Sequence, residues 1–469
     1  MKRNILANCE EGEIKVAIIE DGEVAELFIE RDTEENNVGN IYVAKVENIL
    51  PNLEAIFLNA GLEKSVYLPY SEIVNMQVSD LKKGDKIMIQ VTKSEISTKG
   101  AKVTTNISLP GRYLVYQPFE TGIGVSKNIS DQDERKRLRK IIRESLGETG
   151  GMIVRTEGEG AEQAYFEQEI KYLTRMWQSI RDKFENNKGV SLLHQDFNIL
   201  IKMVREKLTD EVDFFAIDSE DQYKEVYDFV HQITPEHSKK IVFYDEGRNP
   251  FSDYGIESIF ENIMRQKIYL KSGGYIIIQE AESLCAIDVN SGSTKGENLE
   301  AVILKTNLEA LKEIALQLRL RNIGGIIVID FIDMNKEEHK QEVIEALKEA
   351  CKLDKARIKI SPVTAMGLVE MTRQRKSESI MSYLSEDCPC CYGTGRIYSK
   401  ESIFLKIRKD LRDFKDVAED HQIKINLHPR FEKFLTKRRV SFLKKDISPN
   451  MKFVFDYAIS PQEYEIVVE

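Results

Sequence analysis

Leu284-Cys285-Ala286-Ile287-Asp288-Val289-Asn290 and, further on, Ile326-Ile327-Val328-Ile329-Asp330-Phe331-Ile332-Asp333 decide how this chain is read. Each stretch plants an Asp in an otherwise apolar run. An ionised carboxylate buried without a partner costs several kcal/mol, so an Asp ending a buried strand calls for a cation or a strong donor. Two of them imply a shared cation. Asn290 follows Asp288 by two residues and so lies on the same side of a strand. The set offers hard oxygen ligands suited to Mg2+ or Mn2+, which points to metal-dependent phosphoryl chemistry. Between the two runs, Leu304, Leu308, Leu311, Ala315 and Leu318 form one stripe of a helix, with Gly324-Gly325 as its stop signal after Asn322. Strand, helix and strand bring Asp288 and Asp330 into one sheet. Ligands collect beyond strand ends in such sheets.

The 469 residues exceed one ordinary core and suggest roughly three domains. Apolar and charged fractions of 42% and 31% are those of a globular chain rather than a disordered one. The amino terminus has too short an apolar part for a signal peptide, and no run of about 18 uncharged apolar residues occurs. The expectation is a cytoplasmic protein without a transmembrane segment. A net charge of -11 argues against an indiscriminate polyanion binder. Local basic patches nonetheless exist. Six Lys lie between Lys82 and Lys102 against Asp85 and Glu95, and Arg135-Lys136-Arg137-Leu138-Arg139-Lys140 is denser. Taken alone, each run is the ordinary pattern of a solvated face.

From residue 37 to about 106 the pattern is of short strands and turns: Gly39 to Val46, Ala55 to Leu58, Ser65 to Pro69 and Asp85 to Thr92. About five strands in this span predict a small barrel. The segment looks like an S1 domain, an RNA-binding form of the OB-fold. Phe57 and Tyr67 resemble the aromatics that stack bases on such barrels, and Lys99 the cation that meets the backbone. Helical periodicity follows in Gln132 to Leu146 and Ala161 to Glu185. Between them, Val154-Arg155-Thr156 ends a strand with a guanidinium fork beside a hydroxyl, equipment for a terminal phosphate.

Six Cys do not form a disulfide framework in a chain of this length without an export signal. Cys388 and Cys391 have the two-residue gap of a zinc knuckle, but a closed Zn2+ site needs four ligands. The missing two must come from another chain. Cys390 is read as idle rather than as a third ligand, and Cys9, Cys285 and Cys351 as small buried hydrophobes. The six His show no ligand spacing or nucleophile partner, which disfavours a His-based mechanism with 2′-oxygen attack.

Together, Ala286 to Ser291, Thr306-Asn307-Leu308-Glu309-Ala310, Gln317 to Gly325, Ile329 to Met334 and Cys388-Pro389-Cys390-Cys391-Tyr392-Gly393-Thr394-Gly395 resemble the ribonuclease E/G family of bacterial endoribonucleases. The resemblance runs from near the amino terminus to about Arg396, and the short chain favours its ribonuclease G-like branch. It implies an α/β multidomain fold: an S1 barrel (37–106) inserted in an RNase H-like domain (1–36 and 201–270) and a 5′-sensor region (107–200). A DNase I-like α/β catalytic domain (271–387), a zinc-link (388–396) and a small C-terminal domain (397–469) complete it. The implied activity is Mg2+-dependent cleavage of single-stranded RNA, stimulated by a 5′-monophosphate and leaving 5′-phosphate and 3′-hydroxyl ends, in rRNA and tRNA maturation and mRNA decay.

Asp288 and Asp330 match the family's magnesium-binding pair and Asn290 its assisting Asn. Asp333 is either a neighbour of that site or structural. The 5′-phosphate pocket corresponds to Gly111, Val115, Arg155 and Thr156, too small for a triphosphate. The resemblance also implies that Cys388 and Cys391 share one Zn2+ between protomers, giving a homodimer or a dimer of dimers. Cys390 departs from the family pattern. Two alternatives come from other classes: a non-catalytic S1-type RNA-binding protein, and a scaffold.

Overall fold

The computed structural model describes residues 2–31, 37–95, 100–146, 150–244, 247–292, 299–375, 378–412, 421–446 and 450–468. They form two compact units, Met1–Tyr383 and Leu384–Glu469. Four sheets make up the first unit.

Three consecutive antiparallel strands, Arg3–Glu10, Glu13–Glu20 and Glu23–Arg31, open the chain. Val212–Ile217 and Ile241–Phe243 then add in parallel beside the first of them. Alternating apolar residues such as Ile5, Ala7, Val16 and Ile18 meet the helices Ile199–Lys207 and Glu220–Ile233 in one core. Asn198 and Ser219 cap these helices, each side chain accepting an N–H of the first turn.

The residues between the first and second parts of that sheet include a closed barrel of five strands. They are Ile41–Leu50, Ala55–Asn59, Val66–Pro69, Lys86–Lys93 and Lys102–Thr104, consistent with an S1-like barrel. Closure comes from pairing of the first with the fourth, Ile41 opposite Gln90 through Lys45 opposite Lys86. Closing the sheet removes its edges. Ser191–His194 lengthens the same sheet outside the barrel.

A four-stranded sheet follows, in which Leu114–Gln117 and Gly122–Val125 flank Gly151–Val154 and Leu109–Pro110 completes the edge. The helices Gln132–Leu146 and Gln163–Asn186 lie where periodicity predicts them and bury Leu138, Ile142, Phe166 and Leu173 against this sheet.

The fourth sheet carries the Asp pair. Its six strands run in the order Lys267–Tyr269, Tyr275–Glu280, Leu284–Asn290, Gly325–Asp330, Leu368–Arg373 and Ile358–Val363. Only Leu284–Asn290 and Gly325–Asp330 are parallel, joined by the helix Leu299–Leu320. That helix and Glu337–Ala350 cover one face, with Leu311, Ile314, Leu318, Val343 and Leu347 packed on Ile276, Ile287, Ile329 and Val369. Asn322, at φ 53°, ends the crossover helix in the left-handed conformation, where Asn is tolerated, ahead of the expected glycines. Gly324 is needed for a different reason: a Cβ there would lie 2.9 Å from Arg375 backbone.

The expected burial of the two Asp does not hold. The Asp288 strand reads exposed, buried, exposed in strict alternation, and both Asp288 and Asp330 are exposed. These apolar runs are buried on one face, not two. The carboxylates are not charges drowned in a core; they stand on the sheet's open face.

The second unit, Leu384–Glu469, contains the Cys turn, the helices Lys400–Arg412 and Lys437–Asp446, and a three-stranded sheet centred on Ile423–Leu427. Ile403, Phe404, Ile407, Ile425 and Phe431 form its core. Among the described residues no helix is long and apolar enough to cross a membrane.

Candidate active site

The parallel register sets Asp288 directly opposite Asp330. Directly opposed residues project to the same face of a sheet at one inter-strand spacing, about 4.8 Å between backbones. The two carboxylates are therefore neighbours by construction. Asn290 Nδ2 donates to Asp288 Oδ2 at 2.7 Å, which fixes the Asp288 carboxylate plane. Among the described residues neither Asp has a Lys or Arg ion-pair partner. Like charges this close repel, so the arrangement fits a divalent cation. No cluster of three or more His, Cys, Asp or Glu that could hold a metal ion occurs among the described residues, so the protein offers this centre two carboxylates and an amide.

Backbone packing defines the surroundings. Gly274 and Gly292 bring the turn before Tyr275 against the chain leaving Asn290: a Cβ on Gly274 would sit 2.8 Å from the Asn290 carbonyl, and one on Gly292 2.2 Å from the Gly273 carbonyl. On the other strand, Asn307 is fully buried in the crossover helix. Its amide accepts from the Ile332 N–H at 3.1 Å and donates to the Ile332 carbonyl at 2.9 Å, pinning the loop just beyond Asp330. Neither feature is legible from the Asp motif; Asn307 reads as one polar residue in a helix until the fold places it. Asp333 is exposed in that loop, beside Gly367 rather than in register with the pair.

The residues expected to sense a 5′ end do come together. Gly111 closes a tight turn through its N–H on the Leu114 carbonyl, and Arg155 Nη1 donates to the Gly111 carbonyl at 2.7 Å. Val115 pairs with Ile153, two residues before Arg155. The Thr156 hydroxyl lies 3.0 Å from that of Ser126, a neighbour not read from the sequence. Glu169 is also new. Wholly buried, it receives the N–H groups of Arg112 and Tyr113, and a Cβ on Gly111 would approach it to 2.5 Å. Burial pushes its carboxyl up to about 7 against the pull of those N–H donors.

The dense basic run behaves differently from a polyanion face. Arg135 is spent on the carbonyls of Val125, Ser126 and Ile129, and Arg137 on Glu134 and the Ala161 carbonyl. Lys136 pairs with Asp133. Arg135 thus holds the 125–129 turn in place and Arg137 ties the helix to Ala161, while Lys136 and Lys140 remain exposed. Among the barrel lysines, Lys102 pairs with Glu72 and Lys86 donates to the Phe184 and Asn187 carbonyls.

On the barrel, Phe57 and Tyr67 are register partners, half-buried, with ring centroids 5.8 Å apart in an edge-to-face pair. Lys99 lies outside the described residues.

In the second unit the Cys388 carbonyl accepts the N–H groups of Cys391 at 3.2 Å and Tyr392 at 2.7 Å, and Tyr392, Gly393 and Gly395 all have positive φ. This is a tight turn around two thiols. N–H groups of Cys391 and Cys390 hold the Cys388 thiol below its ordinary range, favouring the thiolate that a metal takes. Gln462 holds the Cys390 carbonyl. Cys285 and Cys351 are buried as expected, whereas Cys9 is only partly so.

The Ribonuclease E/G family model matches residues 108–376, more than half of the chain and including both Asp strands and the 5′-pocket residues. The chain belongs to the ribonuclease E/G family. As a member it is an endoribonuclease, which sets aside the non-catalytic binding and scaffold alternatives. Ribonuclease G of Escherichia coli K12 is 36% identical over 88% of this chain and 88% of its own length. Ribonuclease G of Haemophilus influenzae is 33% identical over 99% of each. Ribonuclease E of the same organism is 35% identical, with the match covering 88% of this chain and 46% of that longer protein.

Proposed function

We propose that this ribonuclease E/G family member cleaves single-stranded RNA internally with Mg2+ held by Asp288 and Asp330, and that a 5′-monophosphate on the substrate stimulates it. The observation that carries the reading is the register pairing of two exposed carboxylates without a cation partner among the described residues. Mg2+ bound there would supply a water of lowered pKa and a Lewis acid for charge developing on the scissile phosphate. The chain's own groups do the rest. Asn290 orients Asp288, Asn307 fixes the backbone after Asp330, and the open face admits the RNA. The products would carry 5′-phosphate and 3′-hydroxyl ends, in rRNA and tRNA maturation and mRNA decay.

The proposed domain assignment follows the sheets. The first sheet is the RNase H-like domain, the barrel the S1 domain that grips RNA through Phe57, Tyr67 and Lys99, the third sheet the 5′-sensor and the fourth the DNase I-like catalytic domain. Arg155 and Thr156, with Gly111 and Val115, would receive the terminal phosphate. Arg155 Nη1 is already committed to Gly111, so the guanidinium plane is set before a ligand arrives. The experiment compares cleavage of 5′-monophosphorylated and 5′-hydroxyl RNA. Wild type should prefer the monophosphate roughly tenfold or more, as one charge-assisted contact of about 1.5–3 kcal/mol allows, and Arg155→Ala should cut both at the slower rate. Equal preference in both proteins would remove the sensor assignment.

Cys388 and Cys391 would hold Zn2+ jointly with the same pair of a second protomer, since a closed site needs four ligands and the turn offers two thiols at the right spacing. The same sharing would set a homodimer, or a dimer of dimers. Zinc content measured alongside solution mass checks this. About half a zinc per chain in a dimer or tetramer is the expected result, and one zinc per monomeric chain would exclude sharing.

A further inference from the structure

The open face of the catalytic sheet carries a second chemistry beside the Asp pair. Reading across the register from Asp330, the next residues are Asp288, Ile277 and Lys267, and the adjoining row runs Asn290, Tyr275, Tyr269. All of these side chains share the face opposite the helices, because Ile268, Ile276 and Val289 between them pack into the core. Lys267 thus lies two inter-strand spacings, about 10 Å of backbone, from Asp288.

Three features set this corner apart. Tyr269 is 72% exposed, unusual for a large aromatic with no apolar cover. Its ring and that of Tyr275 meet edge to face at 6.1 Å. The Lys267 ammonium sits 3.6 Å from the Tyr275 centroid and 4.8 Å from that of Tyr269, so the cation is held at the rings rather than left to wander. An exposed aromatic face with a positioned cation is the pairing that takes single-stranded nucleic acid, base on ring and phosphate on ammonium.

We infer that Lys267, Tyr269 and Tyr275 form a nucleotide subsite next to the catalytic carboxylates, with Tyr269 stacking a base that flanks the scissile phosphate and Lys267 meeting the adjoining phosphodiester. The inference rests on the proposed catalytic role of Asp288 and Asp330. These are positioning residues: they hold the strand in register with the Asp pair, and they also give the site a footing on RNA that does not depend on the barrel.

The test uses the full-length protein and short 5′-monophosphorylated RNAs with 2-aminopurine placed at successive positions around the cut. Asp330→Asn provides the uncleaved complex. Fluorescence should be quenched at one nucleotide flanking the cleavage site, and Tyr269→Ala in the Asp330→Asn background should abolish that quenching while leaving quenching elsewhere. In the otherwise wild-type chain Tyr269→Ala should raise KM roughly tenfold, with kcat changed much less; Tyr269→Phe should retain both, and Lys267→Met should weaken the salt dependence of KM. Unchanged quenching and KM in Tyr269→Ala overturn the subsite. So does a Tyr269→Ala protein whose oligomeric mass falls while quenching persists, which would assign the ring to a protein contact. Continued cleavage by Asp330→Asn is a separate result, since it removes the catalytic reading on which the subsite rests.

Discussion

Asp330→Asn lowers cleavage of a 5′-monophosphorylated single-stranded RNA by at least about 1000-fold, roughly 4 kcal/mol of transition-state stabilisation. The change keeps shape and removes one of two negative charges that face each other across the parallel ladder. With a single carboxylate left, the site loses most of its attraction for a divalent cation just where the RNA phosphate adds more negative charge. Stability should be indifferent. Asp330 is exposed and its strand pairing is made by backbone, so the unfolding free energy should change by no more than a surface substitution changes it, about 0.5 kcal/mol. Rate and melting are therefore read together on the same preparation. Full activity in a normally folded variant would end the assignment, and a lost rate with a lost fold would call for Asp288→Asn as the second probe.

Arg319→Ala destabilises the first unit by up to about 3–5 kcal/mol, the cost of removing one partner from a buried ion-pair network. Arg319 leaves the crossover helix and reaches the first sheet, with Nη1 2.9 Å from Glu20 and Nη2 2.9 Å from Glu26. Arg3 shares Glu20 and Lys207 shares Glu26. Removing the guanidinium leaves Glu20 to Arg3 and Glu26 to Lys207, each a largely buried carboxylate with one partner fewer. Burial alone would raise Glu26, but Lys207 and Arg319 outweigh it and hold its carboxyl down to about 2; Glu20 is lowered in the same way by Arg319 and Arg3.

A folded pKa below the unfolded one favours folding wherever the folded carboxylate stays ionised, and most where both states are ionised. The contribution is complete above the unfolded value near 4.5 and is lost as pH falls towards about 2. Urea midpoints measured from pH 6 down through this window should fall steeply for wild type and less so for Arg319→Ala, whose carboxylates keep only the part of that depression due to Lys207 and Arg3. Superimposable midpoints would show that the clasp contributes nothing net.

The two Asp motifs were enough to read the strand, helix and strand of the catalytic sheet, because a period-two run and a period-3.6 run are local patterns. Barrel strands were legible for the same reason. What the sequence did not disclose is which face of each strand finds a partner. Ile326 and Val328 look as apolar as Ile327 and Ile329, yet Ile326 is exposed and Val328 half-exposed, since helices cover one side only. Taken as covered on both sides, such runs place the Asp pair in the core. Arg135 and Arg137 show the converse: charges that read as a solvated face are drawn in by carbonyls and Glu134 that only the fold brings near. Asn307, Glu169 and Tyr269 were missed because each acts through a partner on a different strand or helix, and single-residue chemistry gives no hint of such pairings.

The uncovered face of the catalytic sheet sets what sort of molecule can be cut. Among the described residues the Asp pair sits midway across the strand order and at one end of its two strands, and its strand-to-strand row runs past it on both sides to Lys267 and to Leu368. A cleft with a floor and an end wall counts from a terminus; a tabletop does not. A polymer laid across it needs no free end at the point of reaction, so a closed loop of RNA fits there as readily as a line. Any measurement of where the chain ends must then be made away from the blade.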